Sequence, residues 1–423
     1  MVSEQNSWVY LDNAATTWPK PPCVAAAINE YMTKYGIGMG RSVGRYADQI
    51  RSTIDRLRRD LASLLNAHTD EIILTNSATD GLNLIIQGLL LNRFGMSTSP
   101  FAHHSVAQYP ALVLTTQIEH NSVLRPLQSW VQRGWIRVEV LPCDRFGSVD
   151  WSSLEDWLAQ RPLMLCVNHA SNVTGVIQSL SGIGQRCRAA GTLFLIDAAQ
   201  TLGWLPIDVQ NLACDFLVAA GHKGLYGPLG TGLAYIRREQ QAVVDSLRLG
   251  GTGSVLGEEI SDLVGPTKWE SGNFNVPGLI GLAAAVQARR SHVTDVNSTG
   301  TPAVAPRPTI AQLAPLASQL WSSLGAMPEV KLVADPGCDP FVEGPARLPI
   351  ISLNVANWDN STLALALDSA AGLVTRAGYH CAPLIHSVLG TSTSGTLRIS
   401  LGPFNTGEQI VCLRETLEKV CRF

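Results

Sequence analysis

The chain has 423 residues, 46% hydrophobic and 15% charged, with a formal net charge of -3. That length suits two or three domains, or one large domain carrying a smaller one, with a sizeable core. The near-neutral charge gives nucleic acid no electrostatic footing. The longest apolar stretch, residues 82–91, is too short to cross a bilayer and is interrupted by Asn83, Gln87 and Gly88. The polar start lacks the basic and apolar regions of a signal peptide. Nine cysteines, an odd number with no Cys-x-x-Cys pair, argue against a disulfide framework and a cysteine zinc site, and favour a reducing compartment, the cytoplasm. The nine histidines include no His-Glu-x-x-His, so no metal is expected.

In chain order, residues 42–67 carry a helical apolar period with a basic outer side, read as a solvated face. From about 70 to 237, short apolar runs alternate with helical patterns. Strands are expected at 71–75, 111–116, 137–142, 163–170, 193–199, 215–221 and 231–237. Several are apolar at every position, as when helices cover both faces of a sheet, so the spacing predicts an α/β fold with a largely parallel sheet. Residues 96–110, with His103 and His104, read as an insertion loop. Residues 291–309, rich in Pro, Thr, Ser and Gly, read as a linker. A smaller α/β unit follows: a helix at 309–327, strands at 330–335 and 351–357, a helix at 362–372, the stretch RAGYHCAPLIH at 376–386, a strand at 396–402 and a closing helix at 407–421. The expected division is an N-terminal segment 1–20, a large domain 21–290, the linker 291–309 and a small C-terminal domain 310–423.

Ligands of open α/β sheets gather at the carboxyl ends of the strands. There the chain places NSATDGLN at 76–83, a turn opening a helix whose free amides suit a phosphate. His120 follows the second strand and Ser171-Asn172 the fourth. Asp197 and Gln200 follow the fifth, and His222-Lys223-Gly224 the sixth. Singly each has an ordinary reading, a turn or a helix cap. Together they meet the needs of pyridoxal phosphate: a lysine for its Schiff base, an acid to keep the pyridine nitrogen protonated, and a phosphate cradle.

The stretches YLDNAATTWPKP (10–21), NSATDGLN (76–83), IEHNS (118–122), NHASNVTG (168–175), LIDAAQ (195–200), AAGHKGLYGPLGTG (219–232), WESGNFN (269–275), RAGYHCAP (376–383) and LRISLGPFNT (397–406) resemble the class V aminotransferase group of fold-type I pyridoxal phosphate enzymes. Within it they resemble the cysteine desulfurases and selenocysteine lyases of the short-loop type. The resemblance implies a fold-type I transferase, with a mostly parallel seven-stranded sheet in the large domain and a smaller α/β C-terminal domain. It implies Lys223 as the Schiff-base lysine, Asp197 on the ring nitrogen, His120 stacked on the ring and moving protons, and Asn172 and Gln200 at the ring substituents. Thr79 and His222, with backbone around Ala78, would hold the phosphate, Arg398 the substrate carboxylate, and Arg376 would open the reactive-cysteine motif. Arg41 matches a loop at the site's entrance. Ala78, Ala220 and Asn273 depart from the hydroxyl-bearing residues of many relatives, Asn273 replacing a threonine that in relatives reaches the partner subunit's phosphate. Tyr379 stands where some relatives have a second histidine.

Cys381 in that motif implies the sulfur chemistry of a desulfurase, L-cysteine to L-alanine with sulfur passing to Cys381 as a persulfide, in a homodimer that serves a sulfur-acceptor protein. A thiolate nucleophile needs reach and cationic neighbours, which Arg376, His380 and His386 are candidates to supply. His386 has the ordinary reading of local structure. Cys166, Cys187, Cys214, Cys412 and Cys421 lie on apolar faces and read as structural. Three alternatives stay open: an aminotransferase or epimerase of the same group, a selenocysteine lyase, and a non-catalytic sulfur-relay subunit motivated by the missing hydroxyls.

Overall fold

The computed structural model describes residues 8–38, 43–95, 110–250, 265–290, 310–344 and 346–421. Arg41, both histidines of the 96–110 insertion and the 291–309 linker lie outside the described residues. In order the elements are β1 (Val9–Tyr10), α1 (Pro22–Glu30), α2 (Arg45–Leu65), β2 (Ile72–Thr75), α3 (Ala78–Arg93), β3 (Ala111–Thr116), α4 (Asn121–Gln132), β4 (Ile136–Leu141), α5 (Leu154–Leu158), β5 (Met164–Asn168), α6 (Ile183–Ala190), β6 (Leu193–Asp197), β7 (Phe216–Ala220) and β8 (Gly232–Ile236). There follow α7 (Val276–Arg290), α8 (Ile310–Gly325), β9 (Val330–Leu332), β10 (Ile350–Val355), α9 (Asn360–Ala371), β11 (Leu373–Val374), β12 (Arg376–Gly378), α10 (Ile385–Val388), β13 (Thr396–Ser400) and α11 (Gly407–Val420).

Seven strands form one sheet in the order β2-β8-β7-β6-β5-β3-β4. β8 runs antiparallel to both neighbours and the remaining pairs are parallel. The mostly parallel seven-stranded sheet expected from the apolar runs is therefore present. Successive side chains of a strand point to opposite faces, and the two faces have separate cores. On β6, Phe194 and Ile196 join a cluster with Leu57, Leu61 and Leu65 of α2, whereas Leu195 joins the other with Leu82, Leu89 and Trp130 of α3 and α4. Covering both faces is why these strands carry no polar alternation.

A second, four-stranded sheet has the order β12-β13-β10-β9. Its core gathers Leu320, Trp321, Leu353, Leu363, Ile399, Leu413 and, from the start of the chain, Leu11. β9 stops at Leu332, short of the expected 335, because Ala334 takes the left-handed conformation (φ 59°) ahead of an Asp-Pro-Gly turn. The beginning of RAGYHCAPLIH, read as loop, is instead the short strand β12 paired to β13.

The N-terminal segment runs as a strap between the two sheets. β1 pairs with β11 and Asp12 bridges Ser400, while Thr16, Thr17 and Lys20 donate to backbone carbonyls at His222 and Lys223.

Candidate active site

A cavity of about 220 Å³ opens at the carboxyl ends of the large sheet's strands. Its wall includes Lys223, Asp197, His120, Asn172, Cys381 and Arg398. Gln200, Ala78, Thr79, His222 and Arg376 line it as well. Six separate segments that the sequence placed at strand ends or in loops thus meet at one opening. Asn273 does not: it is exposed and lines a separate cleft of about 200 Å³ with Asn76, Arg248 and Ser271.

Lys223 follows β7 through a turn closed by Gly221 N–H to Thr231 O at 2.9 Å and Gly227 N–H to Gly221 O at 2.8 Å. A Cβ at Gly203 would collide with the backbone of Gly224, and one at Gly224 with Leu202 O. Two facing glycines therefore let the turn after β6 press against the lysine loop. On the opposite side the strap holds that loop, Thr17 Oγ1 donating to Lys223 O at 2.5 Å and Lys20 Nζ to His222 O at 2.6 Å. Desolvation lowers the Lys223 ammonium to about 8; Asp197 opposes the shift, and Arg398 and Arg376 add to it. Burial pushes Asp197 upward, with Ala199 N–H at 2.9 Å and the charge of Lys223 acting against it.

His120 caps α4. Its Nδ1 accepts from Ser122 N–H at 3.0 Å, which leaves the ring proton on Nε2. Desolvation first, then Lys223 and nearby arginines, hold it neutral, its pKa lowered to about 4. Ser122 Oγ lies 2.9 Å from His120 Nδ1 and 2.7 Å from Thr79 Oγ1. It thus ties the start of α3, where Ser77 caps the helix by accepting from Asp80 N–H, to the histidine. Ser122 carries no local mark in the sequence, since its partner on α3 is 43 residues away.

Cys381 sits half-buried with Arg376 Nη2 3.5 Å from its sulfur. Its loop is held from several sides. Asn172 Nδ2 donates to His380 O at 2.5 Å and Asn121 N–H to Cys381 O at 2.7 Å. His380 Nε2 lies 2.9 Å from Thr396 Oγ1. These bonds hold His380 and Cys381 in consecutive left-handed conformations, φ 50° and 59°, which non-glycine residues adopt only under constraint. The cationic field at the sulfur comes from Arg376 rather than from the histidines. Burial drives His380 far toward neutrality, and His386 is buried between Thr391 Oγ1 at 2.7 Å and Tyr379 O at 3.2 Å. His386 is therefore local structure, as expected.

Arg398, on β13, is 1% exposed. Nη1 donates to Asn172 O at 3.0 Å and Nη2 to Asp12 Oδ1 at 2.5 Å. Gln200 Nε2 donates to Ala14 O at 3.0 Å. Asp12 is a second residue that sequence reasoning left without a role.

The residues fit pyridoxal phosphate. Asn172 Oδ1, His222 Nδ1, His380 Nδ1 and Arg398 Nε are buried with no hydrogen-bond partner among the described residues, and all four side chains line the cavity. Buried polar atoms without partners are costly, so their convergence on one opening marks a place for a polar ligand. The helix start at Ala78–Thr79 is suited to an anion.

A family model described as aminotransferase class V matches residues 9–413. A probable cysteine desulfurase of Methanothermobacter thermautotrophicus is 32% identical, over 97% of this chain and 94% of that protein. The cysteine desulfurase IscS of Shewanella denitrificans is 28% identical, over 95% of this chain and 90% of its own. Among solved structures, the cysteine desulfurase of Thermococcus onnurineus superposes with a TM-score of 0.81 at 26% identity, covering 99% of this chain and 95% of that one. The cysteine desulfurase CsdA of Escherichia coli does so with the same score and identity, covering 99% and 96%.

Proposed function

The chain belongs to the class V aminotransferase family, and from that membership we propose that it is a pyridoxal phosphate-dependent cysteine desulfurase converting L-cysteine to L-alanine, with the sulfur taken up by Cys381. One observation carries this reading: Lys223, Asp197 and Cys381 line a single cavity, and the Cys381 sulfur lies against a guanidinium.

Pyridoxal phosphate, when bound, supplies an electron sink for negative charge developed at the substrate Cα. Lys223 would hold it covalently and, once displaced by substrate, move the Cα proton. An amine lowered to about 8 exchanges protons readily near neutral pH. Asp197 would face the ring nitrogen, where a cation supplies the partner that its buried carboxyl favours. His120 offers Nε2–H as a donor and stays uncharged beside Lys223. Asn172 and Gln200 would meet the ring substituents, and Thr79, His222 and the amides at Ala78 the phosphate. Arg398 would take the substrate carboxylate by its planar fork. Cys381, beside Arg376, then attacks the substrate sulfur as a thiolate: an S–S bond forms, the C–S bond breaks, and L-cysteine plus enzyme thiol become L-alanine plus enzyme persulfide.

The proposal includes a homodimer, with Asn273 and its cleft facing the partner subunit. It also includes a sulfur-acceptor protein, a cytoplasmic location supported by nine free cysteines, and the division of the chain into units 21–290 and 310–423 around the two sheets. No helix among the described residues is long and apolar enough to cross a membrane.

Cofactor-loaded protein given L-cysteine and a thiol reductant is expected to release alanine and sulfide in equal amounts. Cys381→Ala is expected to abolish sulfide release while keeping the visible absorbance of the lysine-bound cofactor. Absence of alanine from the loaded wild type would reject the desulfurase reading.

A further inference from the structure

We propose that Asp12 is the resident counter-ion of Arg398, a positioning residue that holds the guanidinium in the cavity wall while no carboxylate ligand is bound and limits how tightly the site takes a substrate carboxylate. The inference rests on the assignment of Arg398 to the substrate carboxylate.

Arg398 lines the cavity and is 1% exposed, whereas Asp12 is 14% exposed and is absent from the cavity wall. The anion therefore backs the arginine. Asp12 Oδ1 takes Nη2 at 2.5 Å and Asn172 O takes Nη1 at 3.0 Å, while Nε has no partner among the described residues. Directly opposite Arg398 in the β12–β13 pairing stands Arg376, so two cations are neighbours on this sheet. Burial and Arg376 both disfavour the charge on Arg398, and Asp12 restores it. The Asp12 backbone is anchored beside β13. Asp12 bridges Ser400, Ala14 N–H donates to Ser400 Oγ at 2.9 Å, and Tyr10 OH donates to Asp12 O at 3.0 Å.

Two opposed effects follow from one charge. A desolvated guanidinium with no anion nearby is costly, so Asp12 keeps the substrate-free site assembled. A cation already paired draws an incoming carboxylate less strongly, so the same residue lowers affinity. Removing the charge while keeping an acceptor should expose both effects: a weaker substrate-free protein, and a tighter hold on carboxylates. A residue needed only for folding would show the first without the second.

Holoenzyme carrying Asp12→Asn is compared with wild type, Asp12→Glu and Arg398→Lys. Asp12→Asn should lower the thermal midpoint without ligand, yet propionate, as a simple monocarboxylate probe, should raise that midpoint further than in wild type. KM for L-cysteine should fall by roughly three- to tenfold, the reach of one charge through a protein interior, with the change falling on KM more than on kcat. KM for cysteine methyl ester, which lacks the charged carboxylate, should not follow. Asp12→Glu should return the propionate response toward wild type. Should Asp12→Asn fail to fold, Asp12→Ser is read by the same criteria. A propionate response and KM equal to or weaker than those of wild type would overturn the proposal. Arg398→Lys leaving KM for L-cysteine unchanged would instead overturn the assignment of Arg398, an outcome separate from any behaviour of Asp12.

Discussion

Lys223 should behave as an amine with a midpoint near pH 8 rather than as an ordinary lysine, and titrating the cofactor-free protein tests this directly. The cause is desolvation, aided by Arg398 and Arg376 and opposed by Asp197. At pH 7 about a tenth of Lys223 is then neutral, against roughly three parts in ten thousand for a lysine at its unperturbed value, a gain of ~300-fold in nucleophilic amine. Reductive methylation with formaldehyde and cyanoborohydride, followed by peptide mass mapping, reads the rate at Lys223 beside surface lysines of the same chain. The Lys223 rate should climb about tenfold per pH unit and flatten above about pH 8, while a free lysine derivative in the same mixture keeps climbing. Asp197→Asn should move the plateau to lower pH, since it removes the charge that favours the ammonium. A Lys223 rate that rises in parallel with the free lysine derivative up to about pH 10 would refute the reasoning, because no cavity effect would then exist.

Glu270→Ala should cost about 3–5 kcal/mol in urea unfolding, because it strands a buried guanidinium. Glu270 takes both Arg58 Nη atoms at 2.7 and 2.8 Å and Leu74 N–H at 2.7 Å, with the two side chains 11% and 7% exposed. A loss below about 1 kcal/mol would count against this. Glu119, fully buried and bonded to Thr116 and Asn168 N–H, is raised to about 8 chiefly by burial. Between its unfolded value near 4.5 and about 8 the fold keeps a proton that the unfolded chain releases, so this contribution to stability is complete below about pH 4.5 and is lost as pH rises through about 8. Thermal midpoints at about pH 5.5 and pH 8 should therefore differ more in wild type than in Glu119→Gln, and equal differences would argue otherwise. Gly203→Ala should destabilise by at least about 2 kcal/mol, since φ is 94° and the new Cβ meets the Gly224 backbone. It should also slow methylation of Lys223; an unshifted melting curve would contradict the packing.

Residues whose positions follow from a strand's end were legible in the sequence. The apolar runs marked β5, β6 and β7, and the polar residues after them, Asn172, Asp197 and Lys223, line one cavity as read. Asp12 and Ser122 were not legible, because each acts through a partner that only the fold brings near, Arg398 and Thr79. The charge state of His380 was hidden for another reason. Beside a reactive cysteine a histidine reads as a cation, and only its burial against Thr396 shows it to be neutral. β9 ended early because a left-handed alanine and a following turn outweighed the propensity of Val and Leu. Asn273 carried a family position whose neighbours within one chain form a different cleft.

The strap from Val9 to Lys20 has a consequence for biosynthesis. Asp12 meets Arg398 across 386 positions and Asn13 meets Ser400 across 387, so a ribosome has reached at least Ser400 before Asp12 and Asn13 find their seats. Until then Leu11 waits without its partners in the small-sheet core, and closure of so long a loop is slow compared with local helix formation. Nascent chains should thus leave the ribosome with the large sheet formed and the catalytic mouth still ajar, a stage at which chaperone capture competes with maturation.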